Sequence, residues 1–368
     1  MRSRILALAL VLTLVAAACG GSDPDETAAE TDNTVETSQA AEAPTEAPEP
    51  EPTEAPEPEP EPEPTEAPAV LTENPTGSGC DGSHPPGRTT EAFLSEGKER
   101  VYELVVPESY DPATPMPVVL NWHGLGSNGP DQLGFSEYEG LANTEGFIVV
   151  AATGVPAPGD TRNSWEIGDT DPTRDDVLMA NTLLDVVIAT VCVDESRVYT
   201  TGMSNGGYFS SILICEMADR IAAAASVAAL AHPEDCMPSR QVPYIGFHGV
   251  DDDVVPYAGG GQSSLLPEGQ TFELFEPAIP DEFAEFVGNY GCDTTATEST
   301  LGDDVTVFDY PSCDVEMTFY SIDNAGHTWP GSIISLAVSQ ASGLGVTTDD
   351  VNASTVSWEF FSRHSLDG

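Results

Sequence analysis

From about residue 100 to residue 330 the chain is written as short apolar runs, most of them stopping at a glycine. The runs are PVVLNWHG (117–124), GFIVVAATG (146–154), SRVYTTG (196–202), VPYIGFHG (242–249) and VEMTFYSID (315–323). Each is too short for a helix, and most are apolar at consecutive positions. That is the pattern of strands buried on both faces of a parallel sheet. Val101 to Val106 reads as an earlier strand, with the proline-rich loop PESYDPATPMP behind it. Helical spacing falls between the runs, over Gly140–Glu145, Asp176–Thr190, Gly206–Asp219, Asp281–Tyr290 and Thr355–Arg363. Strand, loop and helix in alternation predict an α/β fold with a mostly parallel, doubly wound sheet in a single domain. Ligands in such sheets sit at the carboxyl ends of the strands, where these glycine-ended runs deliver their residues.

The pattern is absent from the first 75 residues. Arg2 and Arg4 precede an apolar run from Ile5 to Val15, then Ala16-Ala17-Ala18-Cys19. This resembles a bacterial lipoprotein signal, and the resemblance implies removal of residues 1–18 and a lipid anchor on Cys19. An ordinary secretory signal cut nearby is the alternative, and both export the protein. The apolar run is shorter than the roughly 20 residues that span a bilayer. Residues 19–75 form a spacer of Glu, Pro, Thr and Ala with neither Lys nor Arg, a composition that cannot bury enough apolar surface to fold. Its proline repeat favours extended polyproline II, so the stretch from Ala43 to Pro68 reaches about 80 Å at ~3.1 Å per residue.

Residues 76–368 remain as the folded domain. The spacer holds 17 of the 62 acidic residues and the leader two of the 11 basic ones, leaving 45 acidic against nine basic side chains and a net charge near −36. Nucleic acid and anionic lipid surfaces are therefore excluded as partners. Membrane contact is expected through the lipid alone. Beyond Cys19 there are six cysteines, Cys80, Cys192, Cys215, Cys236, Cys292 and Cys313, without a CxxC pair. An even number in an exported chain points to disulfides. Cys292 and Cys313 bracket one short stretch and are expected to pair; the other four allow three pairings.

The candidate chemistry lies in YTTGMSNGGY, Tyr199 to Tyr208. Gly202-Met203-Ser204-Asn205-Gly206 fits G-x-S-x-G, follows the strand RVYTT directly and opens the apolar helix GGYFSSILICEMA, the setting a nucleophile elbow requires. A serine needs a base and an orienting acid, here in the chain order Ser, Asp, His. Of the six histidines, His84, His123, His232 and His248 are set aside on position, and His364 sits at the frayed end. His327, in NAGHTWPG just after a strand, is left as the base. The acid is expected in GFHGVDDDVVPY, which offers Asp251, Asp252 and Asp253 without choosing among them. The oxyanion hole is expected from the backbone N–H groups of Asn205 and of Leu125, which follows the turn-forming His123-Gly124 pair. No histidine pair has metal-ligand spacing, so neither metal nor cofactor is expected.

Taken together, NWHGLGSNG, the DDV of Asp175 to Val177, RVYTTGMSNGGY, HGVDDDVVPYAGG and GHTWPG resemble the polyhydroxybutyrate depolymerase and feruloyl esterase branch of the α/β-hydrolases. The resemblance covers Gly79 to Gly368. It implies the α/β-hydrolase fold, Ser204 as nucleophile, Asp252 as acid and His327 as base. It also implies Trp329 in the substrate groove and Trp165 in a tryptophan-containing loop near it. Leu125 stands where many relatives have cysteine, which leaves a backbone role intact. The resulting expectation is an extracytoplasmic, lipid-anchored or secreted serine carboxylic-ester hydrolase acting on hydroxyalkanoate oligomers or polyester. Its alternatives are a feruloyl or acetyl-xylan esterase and, in another class, an inactive surface binding lipoprotein.

Overall fold

The computed structural model describes residues 73–168, 171, 173–230 and 236–367. The expected leader, Cys19 and the spacer as far as residue 72 lie outside the described residues, as does His232.

Ten strands form one sheet. They are β1 (Gly87–Ser95), β2 (Lys98–Val106), β3 (Met116–Trp122), β4 (Ile148–Ala152), β7 (Val193–Met203), β8 (Ala223–Val227), β9 (Tyr244–Gly249), β10 (Thr297–Leu301), β11 (Val305–Asp309) and β12 (Met317–Ile322), while β5 (Val155–Pro156) and β6 (Asn163–Ser164) make a separate small hairpin. The order is β1-β2-β4-β3-β7-β8-β9-β12-β11-β10. The six central strands, β4 to β12, run parallel. Antiparallel pairs close both edges.

Side chains alternate across this sheet, so each central strand feeds two cores. Val118, Leu120 and Trp122 of β3 enter a core with Leu183 of α3 (Asp176–Thr190), Phe209 and Leu213 of α4 (Asn205–Glu216) and Phe283 and Phe286 of α5 (Ile279–Asn289). Val119 enters the opposite core with Leu133 of α1 (Gly129–Ser136), Tyr138 of α2 (Tyr138–Glu145) and Trp358, Phe360 and Phe361 of α7 (Ala353–Phe361). Helix α6 (Ile333–Ser342) lies in the long connection after β12 and meets α1. The α/β sheet expected from the glycine-ended runs is present, and α3 has the limits its apolar spacing predicts.

The structure adds elements that the pattern does not announce. Strand β8 is Ala-Ala-Ala-Ser-Val, fully buried between β7 and β9. An alanine run carries strong helix propensity, and here the sheet overrides it. Strand β10 is exposed at all five positions and so has no buried face to give it a period.

Three disulfides tie the domain, Cys80–Cys192, Cys215–Cys236 and Cys292–Cys313. The first spans 112 residues and joins the chain ahead of β1 to the residue before β7.

Candidate active site

Ser204 occupies the single residue between β7 and α4, half-buried, with φ 55° and ψ −122°. A non-glycine residue at positive φ stores strain of order 1–3 kcal/mol and persists only where its surroundings hold it. Here the Ser204 N–H donates to the Val227 carbonyl at 2.9 Å, and its carbonyl accepts from Tyr208 at 3.0 Å. The flanking glycines are a steric demand of the turn. A Cβ on Gly206 would sit 2.2 Å from the Trp122 carbonyl oxygen, and one on Gly202 would sit 2.4 Å from that of Gly206. Strand β3 can approach the elbow only because both lack side chains.

Asp252 follows β9 and His327 follows β12, so both arrive at the carboxyl edge that carries Ser204. Gly249 lets the two loops pass, since a Cβ there would lie 2.2 Å from the Ala325 carbonyl oxygen. Asp251 and Asp253 are exposed, whereas Asp252 is buried. Its Oδ1 accepts the Val254 and Val255 N–H groups, each at 2.9 Å, and its Oδ2 accepts from His327 Nδ1 at 2.8 Å. Burial alone would raise this carboxyl. The facing charge of His327, with hydrogen bonds from His248 and His327, outweighs burial and holds it well below the usual carboxylate range. Neither Ser204 Oγ nor His327 Nε2 has a hydrogen-bond partner among the described residues. The structure thus joins the Asp252 carboxylate to the His327 imidazole, and leaves the serine hydroxyl and the second imidazole nitrogen without a partner among the described residues.

The third component is the loop after β3. Gly124 lies against Ser204, a Cβ there coming within 3.3 Å of Ser204 Cβ. Leu125 is exposed, and neither its N–H nor that of Asn205 has a partner among the described residues. The loop is held from below by His123, fully buried, whose Nδ1 donates to the Gly124 carbonyl at 2.7 Å while Nε2 accepts the Gly154 N–H at 2.9 Å. Those two bonds fix the neutral tautomer, and burial lowers the imidazole to about 4.

A second segment braces the same loop. The Asn205 side chain accepts the Trp165 N–H at 2.6 Å and donates to the Trp165 carbonyl at 3.1 Å, while Trp165 Nε1 donates to the His123 carbonyl at 2.9 Å. The Trp165 ring stacks on Phe209, 5.3 Å between centroids. Beneath it the buried Arg174 guanidinium binds the Asp176 carboxylate, the Ser164 hydroxyl at 3.1 Å and the Ser164 carbonyl. Asp176 also accepts the Glu166 N–H at 2.8 Å. Of the DDV motif, Asp175 caps α3 and Asp176 anchors this segment.

Two expectations need correction. Trp329 is fully buried, its Nε1 donating to Ser354 Oγ and its ring edge-on to Tyr138, so it presents no surface to a substrate groove. Trp165, at 3 % exposure, is likewise packed inward and supports the loop after β3 instead of facing a ligand. Two histidines set aside on chain position belong to the site. His123 holds the loop, and His248 on β9 places Nε2 3.3 Å from Asp252 Oδ2. The signal was available for His248, because Tyr244, Gly246 and His248 share one face of β9 and the carboxylate follows within one turn. His364 pairs with Glu316 at 3.1 Å, and His84 bonds the Pro85 carbonyl.

A family model described as "Putative esterase" matches residues 95–273. "Feruloyl esterase B" of Piromyces equi is 27% identical over 216 residues, covering 57% of this chain and 39% of that protein. "Probable feruloyl esterase C" of Aspergillus clavatus is 30% identical over 198 residues, covering 52% of this chain and 67% of that protein. The chain thus spans well under half the length of the Piromyces relative. Among solved structures, "Acetyl xylan esterase from Aspergillus awamori" superposes with a TM-score of 0.49 at 15% identity, covering 70% of this chain and all of that one.

Proposed function

Because the chain belongs to the esterase family of the α/β-hydrolases, we propose that it is a serine carboxylic-ester hydrolase with Ser204 as nucleophile, His327 as base and Asp252 as the orienting acid. The observation that carries this reading is the buried Asp252–His327 bond at the carboxyl edge that ends in the strained Ser204 elbow. In the acylation step His327 Nε2 takes the proton from Ser204 Oγ as Oγ attacks the ester carbonyl carbon. The Leu125 and Asn205 N–H groups, with the amino terminus of α4, receive the developing oxyanion. His327 returns the proton to the leaving alkoxide, and the acyl-enzyme is hydrolysed by water that His327 deprotonates in turn. Asp252 fixes the tautomer through Nδ1 and stabilises the imidazolium. The Oγ–Nε2 bond missing at rest is commonly long or unformed in unliganded enzymes and tightens in the substrate complex.

The substrate reading follows the relatives named for feruloyl esters, so side-chain esters on plant polysaccharide come first. Hydroxyalkanoate oligomers or polyester remain the second reading, favoured by the HGVDDDVVPY and GHTWPG motifs. Ser204→Ala should abolish hydrolysis of p-nitrophenyl butyrate, and retained turnover would overturn the mechanism. Among the three acids, Asp252→Asn should lower kcat by about 10⁴-fold, as loss of the tautomer-fixing acid does in serine hydrolases generally, with Asp251→Asn and Asp253→Asn near wild type. Turnover of methyl ferulate, acetylated xylan and hydroxybutyrate oligomers, compared as kcat/KM, separates the two substrate readings.

A further inference from the structure

Asp252 Oδ2 lies between two imidazoles. His327 Nδ1 is 2.8 Å away on one side, and His248 Nε2 is 3.3 Å away on the other. His248 belongs to β9, is buried and sits in register with Ser321 of β12. Its Nε2 also lies 2.9 Å from the Val255 carbonyl oxygen. A carbonyl can only accept, so Nε2 carries the hydrogen. That hydrogen is directed into the 252–255 turn, with the Val255 carbonyl as its nearer acceptor and the carboxylate as its second. Nδ1 is then the lone-pair nitrogen, buried with no partner among the described residues. The polar groups near the pair are the Tyr257 ring, 6.0 Å from the His248 ring, the Tyr257 hydroxyl bonded to Ser321 Oγ, and on α4 the Tyr208 hydroxyl, which senses the Asp252 charge.

The bonds on Asp252 divide by oxygen. Oδ1 is fixed by two backbone N–H groups of its own turn, and among the described residues Oδ2 receives only the two histidines. We infer that His248 is a positioning residue of the active site, clamping the 252–255 turn and the Asp252 carboxylate together so that Oδ2 stays aimed at His327. The glycine that follows it, Gly249, explains why the clamp comes from β9. The strand end must pass against the Ala325 and Gly326 carbonyls, which leaves the last β9 side chain, His248, as the one that reaches the acid. The inference rests on Asp252 being the catalytic acid, and the proposed Asp252→Asn experiment tests that separately.

Replacing His248 by Leu removes the N–H while keeping an apolar volume in the core. Full-length His248→Leu should lower kcat for p-nitrophenyl butyrate about 10- to 100-fold with KM nearly unchanged, since a slightly misplaced acid acts on the transition state and not on ground-state binding. With Oδ2 no longer held on Nδ1, the His327 imidazolium loses part of its stabilisation, so the acid limb of kcat/KM should move to lower pH. His248→Gln, whose Nε2 amide can reach the same acceptors, should restore both kcat and the limb. If Leu and Gln lose activity equally with the limb in place, His248 is only a packing residue and the inference fails. It fails also if His248→Leu behaves as wild type while Asp252→Asn is inactive. Where His248→Leu does not fold, His248→Asn places its amide at the Nδ1 position and should show the same losses, again rescued by Gln; an Asn variant as active as Gln would overturn the inference.

Discussion

At the scale of single residues, the site is held by groups that cannot change charge or size without consequence. His123 shows this most directly. Its folded value of about 4 lies below the ordinary imidazole value of about 6.5, so between those limits the unfolded chain binds a proton that the folded chain does not. Stability from this residue is complete above pH 6.5 and falls as pH drops toward 4, by up to roughly 3 kcal/mol. Asp252 acts in the same direction at lower pH, because its depressed carboxyl stabilises the fold above the ordinary carboxylate range and loses that contribution below it. Urea unfolding at pH 7 and pH 4.5 checks the assignment. His123→Gln should be less stable at pH 7, and its deficit should shrink on acidification; a constant deficit would mean that His123 titrates alike in the folded and unfolded chain, and a growing one that it is protonated in the fold. The residue scale was also where the sequence was least explicit. Three adjacent aspartates read alike in one dimension, and burial of the middle one is decided by a turn whose N–H groups point inward. Trp329, which the family resemblance placed in the substrate groove, is instead turned into the core against Tyr138.

At the scale of elements, legibility followed burial. The central strands carry continuous apolar runs, and α3 is bounded by an aspartate cap, so both can be read from the chain. Strand β8 could not, because alanine is neutral between the two faces it fills, and β10 could not, because no face of it is buried. The β5–β6 hairpin is too short to show a period, and it is held by a buried ion pair instead of a core. Arg174 and Asp176, both nearly inaccessible, bind the segment that carries Trp165 to the amino end of α3. Arg174→Met leaves a buried carboxylate without its partner and should cost about 3–5 kcal/mol in chemical unfolding. Arg174→Met combined with Asp176→Leu should recover much of that loss. If the single variant is as stable as wild type, the pair does not anchor the hairpin.

At the scale of the whole molecule, the three disulfides and the strongly acidic composition fit a domain exposed to an oxidising exterior. We propose that this domain is held at the membrane by lipid on Cys19, with the Glu/Pro spacer setting its reach; the support is the Ala-Ala-Ala-Cys junction after the apolar leader. Expressed in a bacterium that processes such signals, the wild-type chain should incorporate labelled palmitate and sediment with membranes. Cys19→Ser should do neither, and label retained in that variant would sink the proposal.

The bond between Cys80 and Cys192 has a mechanical consequence. A pull on the amino-terminal end of the domain, once past the Asn74–Leu94 bonds, reaches Cys80 and crosses the bridge directly to the strand that leads into Ser204, bypassing residues 81 to 191. The edge hairpin β1–β2 would otherwise be the first element to peel, one hydrogen bond at a time, under such a load. With the bridge closed, tension is applied to the centre of a parallel sheet, where many bonds must shear together. Under the proposed tether, such a load would leave the sheet edge that carries Ser204 in register. Reduction of this one bond would hand the load to the weakest strand.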